Sequence, residues 1–72
     1  MSPRLPVVSG RETLRALEKA GFTEISQRGS QVKLRRGNRT VIVPLHRELA
    51  PGTLRSVLRQ ADLTIEQFTA LL

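Results

Sequence analysis

The residues best suited to chemistry lie in one basic segment in the middle of the chain. Between Ile25 and Arg47 the sequence holds half of its 12 basic residues and none of its 6 acids. These basic residues are Arg28, Lys33, Arg35, Arg36, Arg39 and Arg47. Because the rest of the chain is neutral, the net charge of +6 belongs to this segment. A localised positive field favours a polyanion, most often nucleic acid, although a basic surface can also serve only solubility.

His46 is the only histidine, and it lies in the loop after Pro44. One reaction suits a basic surface without a metal: cleavage of RNA by its own 2′-hydroxyl, which needs proton transfer and charge stabilisation. Histidine is the usual residue for such a transfer. His46 therefore has two open interpretations, a catalytic one and a structural one in which it bonds backbone carbonyls or packs its ring.

Other site chemistries find no support in the 72 residues. The absence of cysteine excludes disulfides, thiolate metal sites and thiol redox chemistry. The sequence has no phosphate-binding loop, no zinc-ligand spacing and no Ser, His and acid set. One histidine and a few scattered acids predict no metal site, and no cofactor is expected.

Helices are predicted on both sides of the basic segment. Ser9 and Glu12 have the spacing of a capping box, which predicts a helix start, and Gly21 predicts its end. Arg11 lies on an exposed stripe of this helix that either contacts phosphates or is an ordinary solvated face. A second helix is expected over Pro51–Ala61, and a second capping box beginning at Thr64 predicts a short final helix.

Three short strands are predicted between the helices, over Phe22–Gln27, Gln31–Arg35 and Thr40–Val43. Glycine-containing turns at 28–30 and 36–38 suit hairpins. Alternation assigns Val32, Leu34, Val41 and Val43 to a buried face, and leaves Gln31, Lys33 and Arg35 on an open basic face. The expected fold is therefore α+β, a three-stranded antiparallel sheet with helices on one face and a short C-terminal helix.

Chain length and hydropathy give the remaining expectations. A chain of 72 residues allows one small domain, over 1–72. No apolar run approaches the ~18 residues needed to span a bilayer, and the first ten residues lack the apolar centre of a secretion signal. We therefore expect a cytoplasmic protein without a membrane partner.

The order of several segments resembles the HicA toxins of bacterial HicAB toxin–antitoxin systems. The segments are LPVVSG at 5–10, LEKAGF at 17–22, QRGS at 27–30, VIVPLH at 41–46 and PGTLRSVLRQA at 51–61. The likeness extends from about Leu5 to Leu72. It implies a fold like the double-stranded RNA-binding domain and a ribonuclease that cleaves mRNA without the ribosome. It also implies a HicB-like antitoxin that covers the active site, with a toxin that is monomeric alone and hetero-oligomeric with the antitoxin.

The resemblance also points to one position for catalysis. HicA-like proteins read Gly-Ser-His at the turn into the second strand, and this His is catalytic; here the turn reads Gly29-Ser30-Gln31. An amide cannot exchange a proton near neutral pH, and losing a general acid or base costs ~10²–10⁴ in rate. We expect this chain to be inactive or nearly so. Gln31 is either an exchange introduced so that the protein can be produced, or the mark of a degenerate toxin that has kept its fold and partner.

The expected RNA-binding residues surround position 31 or carry positive charge nearby. They are Arg28, Gly29, Ser30, Lys33 and Arg35, with Arg11 or Arg55 as further phosphate ligands. Two rival functions remain: a non-catalytic module that binds RNA by shape and phosphate position, and a module that binds only the antitoxin.

Overall fold

The polypeptide forms an α+β fold in which a helix, three antiparallel strands and two further helices follow one another. A computed structural model describes residues 4–72; the predicted domain over 1–72 begins with three residues that lie outside this range. The elements are α1 (Gly10–Lys19), β1 (Thr23–Arg28), β2 (Gln31–Arg36), β3 (Arg39–Pro44), α2 (Pro51–Ala61) and α3 (Ile65–Ala70). The predicted fold class and element order are confirmed.

Both ends of α1 form as the local sequence predicts. The Glu12 amide donates to Ser9 Oγ at 3.0 Å, and the Ser9 amide donates to Glu12 Oε1 at 2.9 Å, which completes the capping box. At the other end, Gly21 adopts a φ of 97°, and the Phe22 amide reaches back to the Leu17 carbonyl at 3.0 Å. This is a Schellman closure, in which glycine occupies the left-handed position without steric cost.

The sheet has the order β1-β2-β3, with two-residue turns at both hairpins. Gly29 and Gly37 take positive φ values of 59° and 60° at the first turn position, the pattern of type II′ turns. The predicted turn at 28–30 was one residue too long, because Arg28 pairs with Gln31 inside the ladder. Phe22 was wrongly placed in the first strand; it precedes β1 and lies in the core with 3% of its surface exposed.

One face of the sheet is packed and the other is open. Val32, Leu34, Val41 and Val43 are buried, as alternation predicts, and they join apolar side chains of all three helices in one core. β1 contributes no buried residue. The helices therefore cover the inner faces of β2 and β3, and the opposite face carries the basic side chains.

The C-terminal helices complete the core. Pro51 is the first residue of α2, where its missing amide donor is not needed. Phe68 of α3 is fully buried, as expected, and Leu71 is partly buried. Leu72, which was also considered for packing, is 48% exposed, because the chain leaves the helix at Leu71.

Candidate nucleic-acid interface

A shallow groove on the open face of the sheet brings together the residues best placed to bind an anion. Its volume is about 250 Å³. The side chains that line this groove are Ser26, Arg28, Gln31, Lys33 and Ile42.

The strand register explains why these side chains are neighbours. Arg28 lies opposite Gln31, and Lys33 lies opposite both Ser26 on β1 and Ile42 on β3. Residues directly opposite one another on a sheet have their Cβ atoms ~5 Å apart on the same face. The register therefore gathers side chains from three strands around Gln31.

A β-bulge keeps an acid out of the groove. The β1–β2 register shifts between Glu24 and Ser26, with Ile25 as the extra residue. As a result, Glu24 lies opposite Leu34, whose side chain faces the core. With regular pairing continued from Ser26, Glu24 would instead lie on the open face opposite Arg35. The bulge leaves Ile25 50% exposed and leaves the groove lined without any carboxylate.

The two cations in the groove are available to a ligand. Neither Arg28 nor Lys33 makes a side-chain hydrogen bond or an ion pair with any residue in the range 4–72. Gln31 is exposed, and its amide likewise has no partner in that range. An anion in the groove would therefore meet two uncommitted positive charges beside an amide that can donate a hydrogen bond.

Other arginines of the basic segment are committed to the fold. Arg36 donates to the Ala20 carbonyl at 2.6 Å and lies 4.7 Å from the centre of the Phe22 ring. Arg39 donates to the Gln60 carbonyl at 3.3 Å and pairs with Asp62 at 3.6 Å. These two side chains tie the sheet to the C-terminal ends of α1 and α2, so they act first on structure.

The expected phosphate ligand Arg35 holds an intermediate position. It lies on the open face, opposite Thr23 and Thr40, but it does not line the groove. Its Nε atom donates to the Gly37 carbonyl at 2.9 Å. Arg35 is therefore partly engaged by its own turn.

Arg11 and Arg55 lie away from the groove. Arg55 is exposed on α2. Arg11 borders a second depression of about 390 Å³, which we call the rim pocket and which is lined by Ser9, Arg11, Leu45, His46 and Arg47. Gly29 and Ser30 form the turn that closes one end of the groove, where the Ser30 carbonyl accepts the Leu45 amide at 2.6 Å.

His46 contributes to the fold through its backbone. Its carbonyl accepts the Gly10 amide at 2.8 Å, which joins the loop to the start of α1. Its side chain is exposed and makes no hydrogen bond within residues 4–72, so the imidazole itself does not have the structural bond that was considered for it. It lines the rim pocket, not the groove.

Sequence analysis did not single out Ser26 as a site residue. The signal was present, since Ser26 lies two residues before Arg28 and strand alternation places both on one face. Ile42 was noted as an apolar exception on the open face, and the structure places it half-buried along the groove.

Two further properties of residues 4–72 bear on function. They contain no group of three His, Cys, Asp or Glu side chains arranged to hold a metal ion. None of their helices is both long enough and apolar enough to cross a bilayer.

Comparison with known families decides what kind of protein carries this groove. A family model described as the HicA toxin of bacterial toxin–antitoxin systems matches residues 10–63, three quarters of the chain. The chain belongs to the HicA toxin family. The HicA match runs from the first residue of α1 to just beyond α2, so it is shorter than the resemblance over 5–72 and leaves α3 outside. No curated protein matches the sequence closely enough to be counted as a relative.

Membership in the HicA family gives the chain a general role. It is a toxin of a toxin–antitoxin system, and such a system implies an antitoxin as its partner. The groove contains the position at which HicA-like proteins carry their histidine, here Gln31.

Proposed function

We propose that this HicA toxin is by descent an mRNA endoribonuclease whose cutting site is the groove around position 31, and that Gln31 leaves the present chain with little or no activity. The observation that carries the proposal is the placement of Gln31. It is exposed between two uncommitted cations, Arg28 opposite it and Lys33 two residues further along β2. A scissile phosphate bound there would have positive charge beside a replaceable proton-transfer residue.

The chemistry expected of this site needs no metal. The 2′-oxygen of the substrate attacks the adjacent phosphorus while the bond from phosphorus to the 5′-oxygen breaks. The proton of the 2′-hydroxyl must go to a base, and the leaving 5′-oxygen must receive a proton. Arg28 and Lys33 stabilise the charge that develops on the phosphate oxygens. An imidazole at position 31 can carry a proton in either direction, whereas the Gln31 amide can only donate a hydrogen bond.

The proposed substrate is mRNA, cut without the ribosome, in the cytoplasm. The proposed antitoxin is HicB-like and covers the groove, so that a toxin that is monomeric alone becomes part of a hetero-oligomer. The unpaired charges of Arg28 and Lys33 support this, because an acidic partner would gain from meeting them.

The test is to restore the imidazole. We expect Gln31→His to arrest growth when expressed and to cleave RNA in the presence of a metal chelator, with a rate ~10²–10⁴ above the parent chain. Gln27→His is the matched control: Gln27 lies opposite the buried Val32, so the same imidazole is placed on the other face of the sheet. We expect this control to remain inactive.

The outcomes separate the proposal from its rivals. Equal cleavage by the parent chain, Gln31→His and Gln27→His would disprove the role of position 31. RNA binding without cleavage in Gln31→His would favour a non-catalytic RNA-binding module, which the two uncommitted cations would also support. Antitoxin binding with neither RNA binding nor cleavage would favour a module that serves only protein recognition.

A further inference from the structure

We infer that the rim pocket is a second phosphate subsite, which holds a backbone phosphate of the same RNA strand whose neighbouring phosphate lies at position 31. This inference rests on the proposed function, because it extends the RNA path from the groove to a second depression. The observation that carries it is a concave site of about 390 Å³ bordered by three side chains that can donate to a phosphate: Arg11, His46 and Arg47.

These three donors are uncommitted. Among residues 4–72, none of their side chains takes part in a hydrogen bond or an ion pair. No acid lines the pocket. Glu12, the nearest acid along the helix, is occupied by the Ser9 amide at 2.9 Å. Guanidinium groups present paired donors that match phosphate oxygens, so two free arginines around one cavity favour this ligand.

The walls of the rim pocket are fixed by the backbone. The Gly10 amide donates to the His46 carbonyl at 2.8 Å, and the Leu49 amide donates to the Val8 carbonyl at 2.9 Å. These bonds hold the loop after β3 against the residues that lead into α1. A pocket held in this way needs little reorganisation when a ligand binds, which lowers the entropic cost of binding.

The rim pocket lies close enough to position 31 to share one strand of RNA. Gln31 is paired with Pro44, and His46 follows Pro44 by two residues. With ~5 Å across the ladder and ~3.5 Å per residue, the Cα atoms of Gln31 and His46 are at most ~12 Å apart. A strand that rises ~3.4 Å per nucleotide covers this distance within about four nucleotides.

The experiment measures RNA binding by the chain as it stands, so that it does not depend on cleavage. Fluorescence anisotropy with a labelled single-stranded decanucleotide is recorded over a salt series for the parent and three variants. The variants are Lys33→Gln in the groove, the double variant Arg11→Gln with Arg47→Gln in the rim pocket, and the control double variant Arg15→Gln with Arg59→Gln. The control removes the same charge from exposed helix positions outside both depressions.

We expect the rim-pocket variant to lose about tenfold in affinity and to lower the slope of log Kobs against log salt by ~0.7, the value for one phosphate contact on a single strand. The control should change the slope far less. Arg11→Lys with Arg47→Lys, which keeps the charges, should keep the parent slope. Circular dichroism on each variant checks that the fold is unchanged.

The contrary results are distinct. If Lys33→Gln weakens RNA binding while the rim-pocket variant binds like the parent, the inference is wrong and the groove proposal stands. If the parent does not bind RNA at all, the proposed function fails together with the inference. If the control variant loses as much as the rim-pocket variant, only a general positive field is at work, and the subsite does not exist. Loss of antitoxin affinity with RNA affinity intact would also overturn the inference and assign the pocket to the protein interface.

Discussion

Gly10 is the position where a single added methyl group should damage the molecule most directly. It is the first residue of α1 and it packs against the end of β3. A Cβ at this position would lie 2.8 Å from the Leu45 Cα and 3.0 Å from the Pro44 carbonyl carbon, and it would overlap the Pro44 carbonyl oxygen. These are backbone atoms that cannot rotate away, so α1 would have to retreat by about 1 Å to restore ordinary contact.

The expected cost of Gly10→Ala can be worked from these contacts. Overpacking of this kind costs about 1–3 kcal/mol. Retreat of the helix would also weaken the hydrogen bond from the Gly10 amide to the His46 carbonyl, 2.8 Å long, which contributes about 1 kcal/mol. The better helix propensity of alanine offsets at most about 1 kcal/mol. The net loss in the free energy of unfolding is therefore about 2–3 kcal/mol, or roughly 10–20 °C in Tm for a domain of this size.

Urea unfolding followed by far-ultraviolet circular dichroism measures this loss. Gly52→Ala is the matched control, because Gly52 also lies in the first turn of a helix, but a Cβ added there would meet no neighbouring atom within 4 Å. The control should be neutral or more stable by up to about 1 kcal/mol, because alanine lowers the entropy of the unfolded chain. Equal midpoints for the two variants would refute the close packing of α1 on β3.

Three smaller predictions follow from the described contacts. Gln60→Ala removes the Oε1 acceptor that lies 2.9 Å from the Ile42 amide, so hydrogen exchange at that amide should speed up with a loss of about 1 kcal/mol; unchanged exchange would contradict this. Asp62 has a φ of 57°, so in urea unfolding Asp62→Gly should gain about 0.5 kcal/mol while Asp62→Ala should not; the reverse order would count against strain there. Lys33→Gln should lower the salt slope of RNA binding by ~0.7 and Arg35→Gln by less, because part of the Arg35 guanidinium is already bonded; equal slopes would argue against this distinction.

Local signals in the sequence were sufficient for much of the fold. The capping box at Ser9 and the glycine at 21 define α1 because each acts within one helical turn. Alternation along β2 assigned Val32 and Leu34 to the core because side-chain direction in a strand depends only on residue parity. Strand ends were less certain, and Phe22 and Arg28 were misplaced by one residue, since register across a hairpin decides where pairing starts.

The composition of the site depended on contacts that local sequence does not encode. The bulge at Ile25, which turns Glu24 away from the groove, is a property of pairing between two strands. The division of the basic segment into free and committed cations depends on distant acceptors, such as the carbonyl of Gln60 for Arg39. A count of positive charge located the surface correctly but could not identify which charges a phosphate would meet.

Function and stability are largely separate in this molecule, and this bears on how Gln31 should be interpreted. Gln31 is exposed, has no side-chain partner within residues 4–72, and lies opposite Arg28 and Pro44 at the end of the ladder. Exchange of an amide for an imidazole there leaves the buried core and both helix caps untouched, so its effect on the free energy of unfolding should stay within about 0.5 kcal/mol. A chain that has lost its proton-transfer residue would therefore fold as before and present the same cations to an antitoxin. Retention of the fold is consequently no evidence for retention of cleavage, and only a change at position 31 itself can show whether this groove cuts RNA.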